Sequence, residues 1–563
     1  MKTKMKKRIA IMIIVAVFAF TAQAQQNVRL ELKNANVGAE QVYAQVNTSM
    51  LLTGEYLYYS VYCLEKGTNT RSSLSKIAYV SILNKAGEQV FNETLDLKNG
   101  KAYGDYFVPT NLPSGNYKLL AYTNWMKNNG QDSFFEQDLF IVNPYTSAQT
   151  AIRKDSLVYR KYAEKGNSGK LKITGNTYGK REKVQLELDN LPKGSYSVSV
   201  RQFDSIPHPS ERSAVAFNQV ISGKNTFENG SFTLPDLRGK LLSGQIRSSQ
   251  GLSVSNKKIA LSVPGEEYFL RIANTKDDGS FYFNVPENFT EEKAFVKVLD
   301  TAGFEIKLSE QQLPHIEKLE FEDYGVDLKS QKWIEDHSVY NQIENAYFSL
   351  KPDTVRVNQQ SNLFDGLDQI EYVLDEYTRF KTVRETFVEV VPYARVRNEN
   401  GKMAFRVLGK APYQDFQGIP LVVIDGIPVS DPDEFIRNYE SVKIDKIKVI
   451  QDKFYFGSAL YKGVIIIQTF NADFAENYRD SSAKEIRLTS GNIRKNYFRQ
   501  DYSKNDGNLP DFRTQLLWEP EFTGEQKDIS FYTSDVPGIY EISVQGFTAE
   551  GEPVSIYGSF KVQ

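Results

Sequence analysis

Short apolar segments separated by turn-forming residues are the dominant pattern along this chain. From about residue 27 to residue 144, runs rich in Val, Tyr, Leu and Phe alternate with Gly, Asn and Pro at roughly the spacing of a β-sandwich. One run, residues 78–83, precedes a turn at 84–87, and another occupies residues 117–122. The pattern predicts a first β-sandwich over residues 25–147.

Strict alternation of apolar and polar residues marks the next region. At residues 184–188 the apolar positions are Val184, Leu186 and Leu188, with Gln and Glu between them, and residues 196–201 repeat the pattern. A period of two is typical of strands with one buried face. We therefore predict a second β-sandwich over residues 148–240.

Two further regions show the same alternation of apolar and polar residues. After a turn at residues 276–279, Phe281, Phe283 and Val285 would share one strand face, which predicts a small β-domain over residues 241–313. In residues 540–545, apolar positions again alternate with polar ones. This alternation predicts a β-sandwich segment over residues 476–563.

Helical spacing replaces the β pattern over residues 314–400. Trp333, Tyr340, Ile343 and Tyr347 recur at intervals that place them on one stripe of a helix. A second helical stretch is expected to break near Gly366 and to end by Pro392. We interpret residues 314–400 as a helical connecting region.

Residues 401–475 combine strand-like and helix-like patterns. The apolar run 420–424 predicts a buried strand, which turns at Asp425 and Gly426 and stops at Pro428. A short helix through Tyr439 should follow, then strands at 444–450 and 464–469 with a short turn or helix at 456–461 between them. This order predicts a small two-layer α/β domain, so the whole chain is expected to be a mainly β multidomain protein.

Composition narrows the function classes. With 563 residues the chain is too long for one core, and the near balance of 68 Lys and Arg against 70 Asp and Glu argues against a nucleic-acid-binding protein. Three His and one Cys leave little material for metal or thiol chemistry. We expect no metal and no cofactor.

The first 24 residues have the features of a secretory signal peptide. Basic residues between Lys2 and Arg8 precede an apolar run at 9–20, and Ala22-Gln23-Ala24 supplies a cleavage site. The run is shorter than the ~20 residues that a membrane-spanning helix needs, and no later stretch is long enough. We expect a periplasmic protein that is associated with the outer membrane and has no membrane-spanning segment after cleavage.

The α/β segment resembles a known family. The strings PLVVIDGIPV at 420–429, IKVI at 447–450, FGSA at 456–459 and GVIIIQT at 463–469 are similar to the plug domain of TonB-dependent outer-membrane receptors of the Bacteroidota type. The resemblance implies a globular domain that, in the family, sits inside a large β-barrel and closes it.

Five residues of this motif are expected to set the fold, not to perform chemistry. Asp425 suits a β-turn whose carboxylate accepts backbone N–H groups, and Pro428 ends the strand. Gly426, Gly457 and Gly463 suit turns and close packing. The neighbouring aromatic pair, Tyr455 and Phe456, is expected to belong to the core.

The sandwich regions resemble domains of α2-macroglobulin-like proteins. The similar residues are Thr53-Gly54-Glu55 with Tyr58 and Tyr62, the stretch 112–126, and part of 512–535, whereas residues 241–308 are similar to the carboxypeptidase-regulatory-like fold. A thioester trap needs Cys-Gly-Glu-Gln, but Cys63 is followed by Leu and Glu. Covalent trapping of proteases is therefore not expected.

No catalytic motif stands out. His208 and His315 imitate the zinc spacing of metallocarboxypeptidases, but both are better explained as unrelated loop residues. Residues 501–507 only loosely resemble a calcium loop, and a solvated turn explains them better. We predict that the protein is not an enzyme.

Two functional classes remain, with a hydrolase as a weak third. Fewer than about 100 residues follow Phe470, whereas a receptor barrel needs about 200 or more, so we expect the barrel to come from another chain. The favoured hypothesis is a periplasmic interaction protein that docks on or plugs an outer-membrane β-barrel, in a transporter or a protein-secretion translocon such as type 9. The alternative is a free periplasmic peptide- or polysaccharide-binding protein. The oligomeric state stays open.

Overall fold

The chain folds into a mainly β, multidomain protein with two compact units. Unit 1 comprises residues 1–237, 313–355 and 494–563, and unit 2 comprises residues 238–312 and 356–493. The computed structural model describes residues 39–129, 133–146, 171–204, 206–220, 233, 235–266, 268–285, 293–299, 303–309, 319–356, 363–410, 418–456, 459–488, 494–504 and 509–563. The predicted signal peptide lies outside these residues. Across the described part of the chain, no helix is both long and apolar enough to cross a membrane.

The first sandwich of unit 1 confirms the predicted strand–turn pattern. The run at 78–83 lies in a strand that is buried along nearly its whole length, and the run at 117–122 lies in the strand that pairs with it. The two facing sheets share one aromatic and aliphatic core. One sheet contains β1 (Glu40–Val46), β3 (Tyr56–Glu65) and β6 (Lys101–Phe107), and the other contains β2 (Met50–Leu52), β8 (Phe135–Val142), β7 (Gly115–Tyr122), β4 (Ile77–Asn84) and β5 (Gln89–Asp96).

The second sandwich is assembled from two distant parts of the chain. The sequence pattern predicts separate domains over residues 148–240 and 476–563, but their strands pair with one another over nearly their whole lengths. Each part alone supplies too few strands to cover a core. The larger sheet contains β10 (Thr177–Tyr178), β32 (Pro553–Val562), β31 (Gly538–Thr548), β12 (Gly194–Gln202) and β29 (Gln515–Phe522), and the smaller contains β30 (Asp528–Tyr532), β11 (Lys183–Leu188) and β9 (Leu171–Ile173).

Strand β12 differs from its prediction because both of its faces are buried. Its apolar residues face the core of the second sandwich, as the alternation predicts. Its polar residues are covered by the first sandwich: the Ser197 and Tyr62 hydroxyls share a hydrogen bond of 2.8 Å, and the Lys101 ammonium donates to the Tyr196 carbonyl at 2.7 Å. Burial lowers the pKa of Lys101 to about 7. The polar face of β12 therefore forms a seam between two sandwiches.

A helix and two short elements complete unit 1. The predicted helix is present as α2 (Gln331–Ala346), but its buried stripe is Ile334, His337, Ser338 and Asn341, next to the stripe expected from the aromatic residues. The aromatic residues are only half-buried because polar side chains of this helix make the inward contacts. The other elements are α1 (Ala214–Val220) and the ladder of β19 (Thr354–Val355) with β28 (Lys495–Asn496).

Unit 2 contains a third sandwich. Phe281, Phe283 and Val285 share its buried face, as predicted. One of its strands comes from residues far along the chain, in the region assigned by sequence to the C-terminal segment. Its sheets contain β16 (Ser280–Val285), β13 (Lys240–Ser248) and β18 (Phe304–Leu308), and β15 (Phe269–Asn274), β14 (Lys258–Val263), β17 (Lys293–Val298) and β27 (Ala483–Arg487).

An α/β module forms the rest of unit 2. Its five-stranded sheet has helices on one face and the third sandwich on the other. The predicted turn-or-helix at 456–461 falls on a long antiparallel hairpin, in which Phe456 at the end of one strand pairs with Ala459 at the start of the next. The sheet contains β20 (Ile370–Val373), β25 (Ile444–Phe456), β26 (Ala459–Thr469), β23 (Leu421–Ile424) and β24 (Ile427–Pro428), beside the hairpin β21 (Ala394–Glu399) and β22 (Lys402–Val407), with α3 (Val383–Glu389), α4 (Asp433–Asn438) and α5 (Phe474–Asn477).

The helical connecting region predicted over 314–400 is divided between the units. Its first part contains α2 and belongs to unit 1, whereas its second part belongs to the α/β module. Residues 366–381 form β20, turns and a short 3-10 helix (Leu374–Glu376), so the helix expected over this range is wrong, whereas a helix that ends before Pro392 is present as α3. Helix α3 begins later because Thr382 and Glu385 form a capping box at its start.

Protonation of His337 is expected to destabilise unit 1. Burial, helped by the positive charge of Arg201, lowers the His337 pKa to about 4, although Asp204 and Asp336 oppose the shift. Because this pKa is lower than the ~6.5 of an unfolded chain, the stabilisation is complete above pH ~6.5 and is lost as the pH falls towards 4, at a cost of about 3 kcal/mol. Replacement by Gln should remove this component of the pH dependence.

Urea unfolding followed by tryptophan fluorescence measures the effect, since Trp125, Trp333 and Trp518 all lie in unit 1. The difference in unfolding free energy between the native chain and His337→Gln should shrink by about 3 kcal/mol between pH 7.5 and pH 4. An unchanged difference across this range would show that His337 is not held neutral by its surroundings.

Candidate functional site

The predicted site residues begin at a tight turn in the α/β module. Asp425 and Gly426 connect β23 to β24 and have φ values of 47° and 85°. Two successive residues with positive φ are typical of a type I′ turn, for which Asp-Gly is a favoured sequence. The turn predicted at this position is therefore present.

The Asp425 carboxylate holds the turn to the following elements. It accepts hydrogen bonds from the Thr469 amide (2.8 Å) and hydroxyl (2.5 Å), at the end of β26, and from the Phe474 amide (3.2 Å), at the start of α5. Burial raises the pKa of Asp425, and the bonds from Thr469 and Phe474 oppose that shift. As predicted, this acid accepts backbone N–H groups, but they come from more than 40 residues away.

Gly426 and Pro428 attach the turn to the third sandwich. A Cβ on Gly426 would lie 2.3 Å from the Tyr268 Cβ, and the Gly426 carbonyl accepts a hydrogen bond from the Ser262 hydroxyl at 2.6 Å. The Pro428 carbonyl accepts one from the Lys297 ammonium at 3.1 Å. Glycine is required at 426 because any side chain would collide with the sandwich.

Lys297 is the centre of a buried polar cluster beside this turn. Its ammonium lies 2.7 Å from the Asp480 carboxylate and 2.9 Å from the Tyr478 hydroxyl. Burial lowers the pKa of Lys297, and the bond to Asp480 opposes that shift. Burial alone would raise the Asp480 pKa, but Lys297 and Ser482 overcome it and hold that pKa well below its usual range. The pair therefore stays ionised and joins β17 to the segment before β27.

The two other motif glycines lie away from this turn. Gly463 is in β26 with φ of 93°, and a Cβ there would lie 2.6 Å from the Val407 Cγ1 atom. It lets the β21–β22 hairpin pack closely on the sheet. Gly457 lies outside the described residues. The structure thus brings Asp425, Gly426 and Pro428 together as an internal packing junction, with Gly463 in a separate contact.

The histidine expected to be a loop residue is engaged in buried hydrogen bonds. His208 Nδ1 lies 2.7 Å from the Ser49 hydroxyl, and Nε2 lies 3.3 Å from the Asp204 carboxylate. His315, and residues 505–507 of the calcium-like stretch, lie outside the described residues. Within the described ranges, no group of three or more His, Cys, Asp or Glu side chains is placed to hold a metal ion. Cys63 is buried, and burial raises its thiol pKa.

The β25–β26 hairpin carries two exposed apolar side chains at its projecting end. Its neighbours β20 and β23 pair with it no further than Val449 and Val464, whereas the hairpin itself continues to Phe456 and Ala459. Tyr455 and Leu460 lie opposite each other on its outer face. Their side chains are 71% and 47% exposed.

The prediction that Tyr455 and Phe456 both belong to the core is right for Phe456 and wrong for Tyr455. Phe456 is 8% exposed and stacks on Phe454, which contacts Phe364. Tyr455 points to the opposite face because successive residues of a strand alternate. The alternation of side chains along a strand could have identified Tyr455 as an exposed residue. In the sequence, two adjacent aromatic residues obscure that alternation.

Comparison with known proteins does not identify a family for this chain. No protein-family model and no curated protein matches the chain. Among solved structures, it is similar to Salmonella α2-macroglobulin reacted with methylamine, with a TM-score of 0.24, 9% identity, and coverage of 93% of this chain and 40% of that one. Native Escherichia coli α2-macroglobulin gives a TM-score of 0.23, 11% identity, and coverage of 94% and 40%. The chain thus spans about 40% of the length of these macroglobulins, and TM-scores this low do not define its fold or its function.

Replacing Gly426 should destabilise unit 2 more than replacing a glycine in an equivalent turn. Gly401 follows Asn400 in a turn that also has two positive φ values, but a Cβ on Gly401 meets nothing within 4 Å. Gly401→Ala should therefore cost about 1 kcal/mol for the backbone alone. Gly426→Ala adds the collision with Tyr268 and should cost about 2–4 kcal/mol.

Thermal unfolding by calorimetry and hydrogen exchange at residues 421–428 measure these costs. We expect a lower Tm and faster exchange for Gly426→Ala than for Gly401→Ala. Equal effects of the two substitutions would contradict the close contact of Gly426 with the third sandwich.

Proposed function

We propose that this protein is a non-enzymatic periplasmic interaction protein. In this proposal its α/β module docks on, or closes, the periplasmic side of an outer-membrane β-barrel supplied by another chain. The host would be a nutrient transporter or a protein-secretion translocon such as type 9. The resemblance of residues 401–475 to a plug domain, whose family role is to close a barrel, motivates this assignment.

The observation that carries the proposal is the extended β25–β26 hairpin. A soluble protein normally buries large apolar side chains or scatters them singly. Here Tyr455 and Leu460 form a cross-strand pair on the outer face, while the inner face is anchored by Phe454 and Phe456. An exposed aromatic side chain with an aliphatic partner on a supported hairpin is suited to serve as an interface anchor.

The backbone of the same hairpin offers a second means of attachment. Beyond Ile450, the described pairing of β25 is with β26 alone, so its outer edge presents N–H and C=O groups. A strand edge of this kind accepts an added strand through main-chain hydrogen bonds. An extended periplasmic segment of the barrel protein would provide such a partner.

The module is well suited to present this hairpin rigidly. The Asp425 carboxylate, Gly426 and Pro428 attach the base of the sheet to the third sandwich through the contacts described above. A docking element on a fixed base loses less conformational entropy on binding than a free loop.

Replacing the exposed pair should weaken capture of a barrel protein. Affinity-tagged protein is incubated with detergent-solubilised outer membrane of the source organism, and recovered proteins are identified by mass spectrometry. The native chain should recover a β-barrel protein. Tyr455→Ser with Leu460→Ser should lower the recovery more than tenfold, since each interface anchor contributes about 2 kcal/mol.

A matched control removes the same side chains from another strand pair of unit 2. Leu241 and Tyr282 are also exposed, on neighbouring strands of the third sandwich. Leu241→Ser with Tyr282→Ser should recover the barrel as the native chain does. Failure of the native chain to recover any barrel protein, or equal losses in both double variants, would refute the proposal.

A further inference from the structure

Unit 1 contains a partly open cavity that none of the preceding roles uses. It has a volume of about 150 Å³. Its walls come from the segment before β3, from the inner polar face of β12, from α2, and from the stretch that leads into β29. A cavity of this size accepts a benzene-sized group.

Arg201, from the polar face of β12, lines this cavity with most of its donors unused. The residue is 8% exposed, and among the described residues its side chain has one ion pair, a 3.5 Å contact with the Glu55 carboxylate. A guanidinium carries five N–H donors. A buried guanidinium normally has most of them satisfied because leaving them unmade costs free energy.

Three other donors in the same wall also lack partners within the described part of the chain. They are Asn341 Nδ2, Trp518 Nε1 and the Tyr497 hydroxyl. Asn341 and Trp518 are at least nine-tenths buried. Glu55 Oε1 is the one acceptor of this wall that also lacks a hydrogen-bond partner among the described residues, so unused donors outnumber unused acceptors around the cavity.

Two acids of the wall, Glu344 and Asp353, are already satisfied. The Glu344 carboxylate binds the Lys351 ammonium at 2.7 Å and the Phe512 amide. Asp353 binds Lys495 at 3.0 Å and accepts from the Phe498 amide. These acids are therefore not available to a ligand, and a cation would find no free carboxylate except Glu55 beside Arg201.

Aromatic side chains form the apolar part of the cavity. Tyr58 stacks on Trp518 with ring centroids 5.9 Å apart and meets Tyr497 edge-on at 5.1 Å. Tyr56 stacks on Phe348 at 5.9 Å. Such surfaces favour a planar or apolar group of the ligand over a fully hydrated ion.

We propose that this cavity is a binding site for a carboxylate that carries an aromatic or apolar group. The carboxylate would accept hydrogen bonds from Arg201, with Trp518 and Asn341 as further donors, while the apolar group packs among Tyr58, Tyr56 and Phe348. Charge-assisted bonds from a guanidinium to a carboxylate are short and strong. The same chemistry is presented by a free aromatic acid and by the C-terminal residue of a peptide.

Isothermal titration of the intact chain with matched probes tests the site. 3-Phenylpropanoate should bind with a Kd at or below about 1 mM, and 3-phenylpropanamide, which lacks the charge, should bind at least tenfold more weakly. Absence of saturable binding by the acid, or equal binding of acid and amide, would overturn the proposal.

Two peptides distinguish the sources of the carboxylate. If Ala-Ala-Phe with a free C-terminus binds more tightly than 3-phenylpropanoate and its C-terminal amide does not bind, the site recognises peptide ends. If 3-phenylpropanoate binds and neither peptide does, the site recognises small free acids. Either result supports the carboxylate site.

Substitutions locate the binding. Arg201→Gln should weaken 3-phenylpropanoate more than tenfold, and Trp518→Phe, which keeps an aromatic ring and removes the donor, should weaken it about fivefold. Trp125→Phe, at another buried tryptophan of unit 1, should bind as the native chain does. Native affinity in Trp518→Phe would contradict the assignment even if Arg201→Gln does not fold.

This inference is independent of the docking proposal. The cavity lies in unit 1, whereas the hairpin proposed to dock lies in unit 2. Failure to recover a barrel protein would leave the titration result unaffected, and the reverse is also true.

Discussion

Burial of β12 on both faces is the constraint on which unit 1 depends. A strand at the surface of a single sandwich needs one apolar face, but β12 also buries Ser197, Ser199 and Arg201. Those side chains must find polar partners: Tyr62 and Glu55 of the first sandwich contact Ser197 and Arg201, and the Gln515 side-chain amide of β29 donates to Ser199. The two sandwiches are joined through this polar seam, and the incompletely satisfied end of the seam, at Arg201, is where the cavity lies.

Unit 2 also contains a sheet that is covered on both faces, but the covering contacts are apolar. The sheet of the α/β module is covered by helices and the β21–β22 hairpin on one face and by the third sandwich on the other. Gly426 lets the turn approach Tyr268, and the ion pair of Lys297 with Asp480 lies beside that contact. With both faces covered, the projecting end of the β25–β26 hairpin is the part of the sheet best placed to meet a partner.

Local sequence patterns predicted the positions of the strands well. They could not predict which distant strands pair with one another. Alternation identified β11, β16 and β31 because each has one apolar face. It could not show that β12 pairs with strands more than 300 residues later, or that a second layer covers its Ser and Arg positions. The Asp425 turn was recognised from Asp-Gly, but its donors, Thr469 and Phe474, were not. The cavity was not foreseen, because Tyr58, Arg201 and Trp518 come together only through the fold.

Because the second sandwich is assembled from two distant parts of the chain, it can be completed only late in synthesis. Four of its eight strands precede residue 203, and the other four follow residue 514. During synthesis the edges of the early strands stay unpaired until roughly 300 further residues have been made. Unpaired strand edges tend to pair incorrectly or to aggregate. Folding is therefore expected to be slow and completed late, and a chaperone that shields open strand edges would benefit this protein more than one built from consecutive domains.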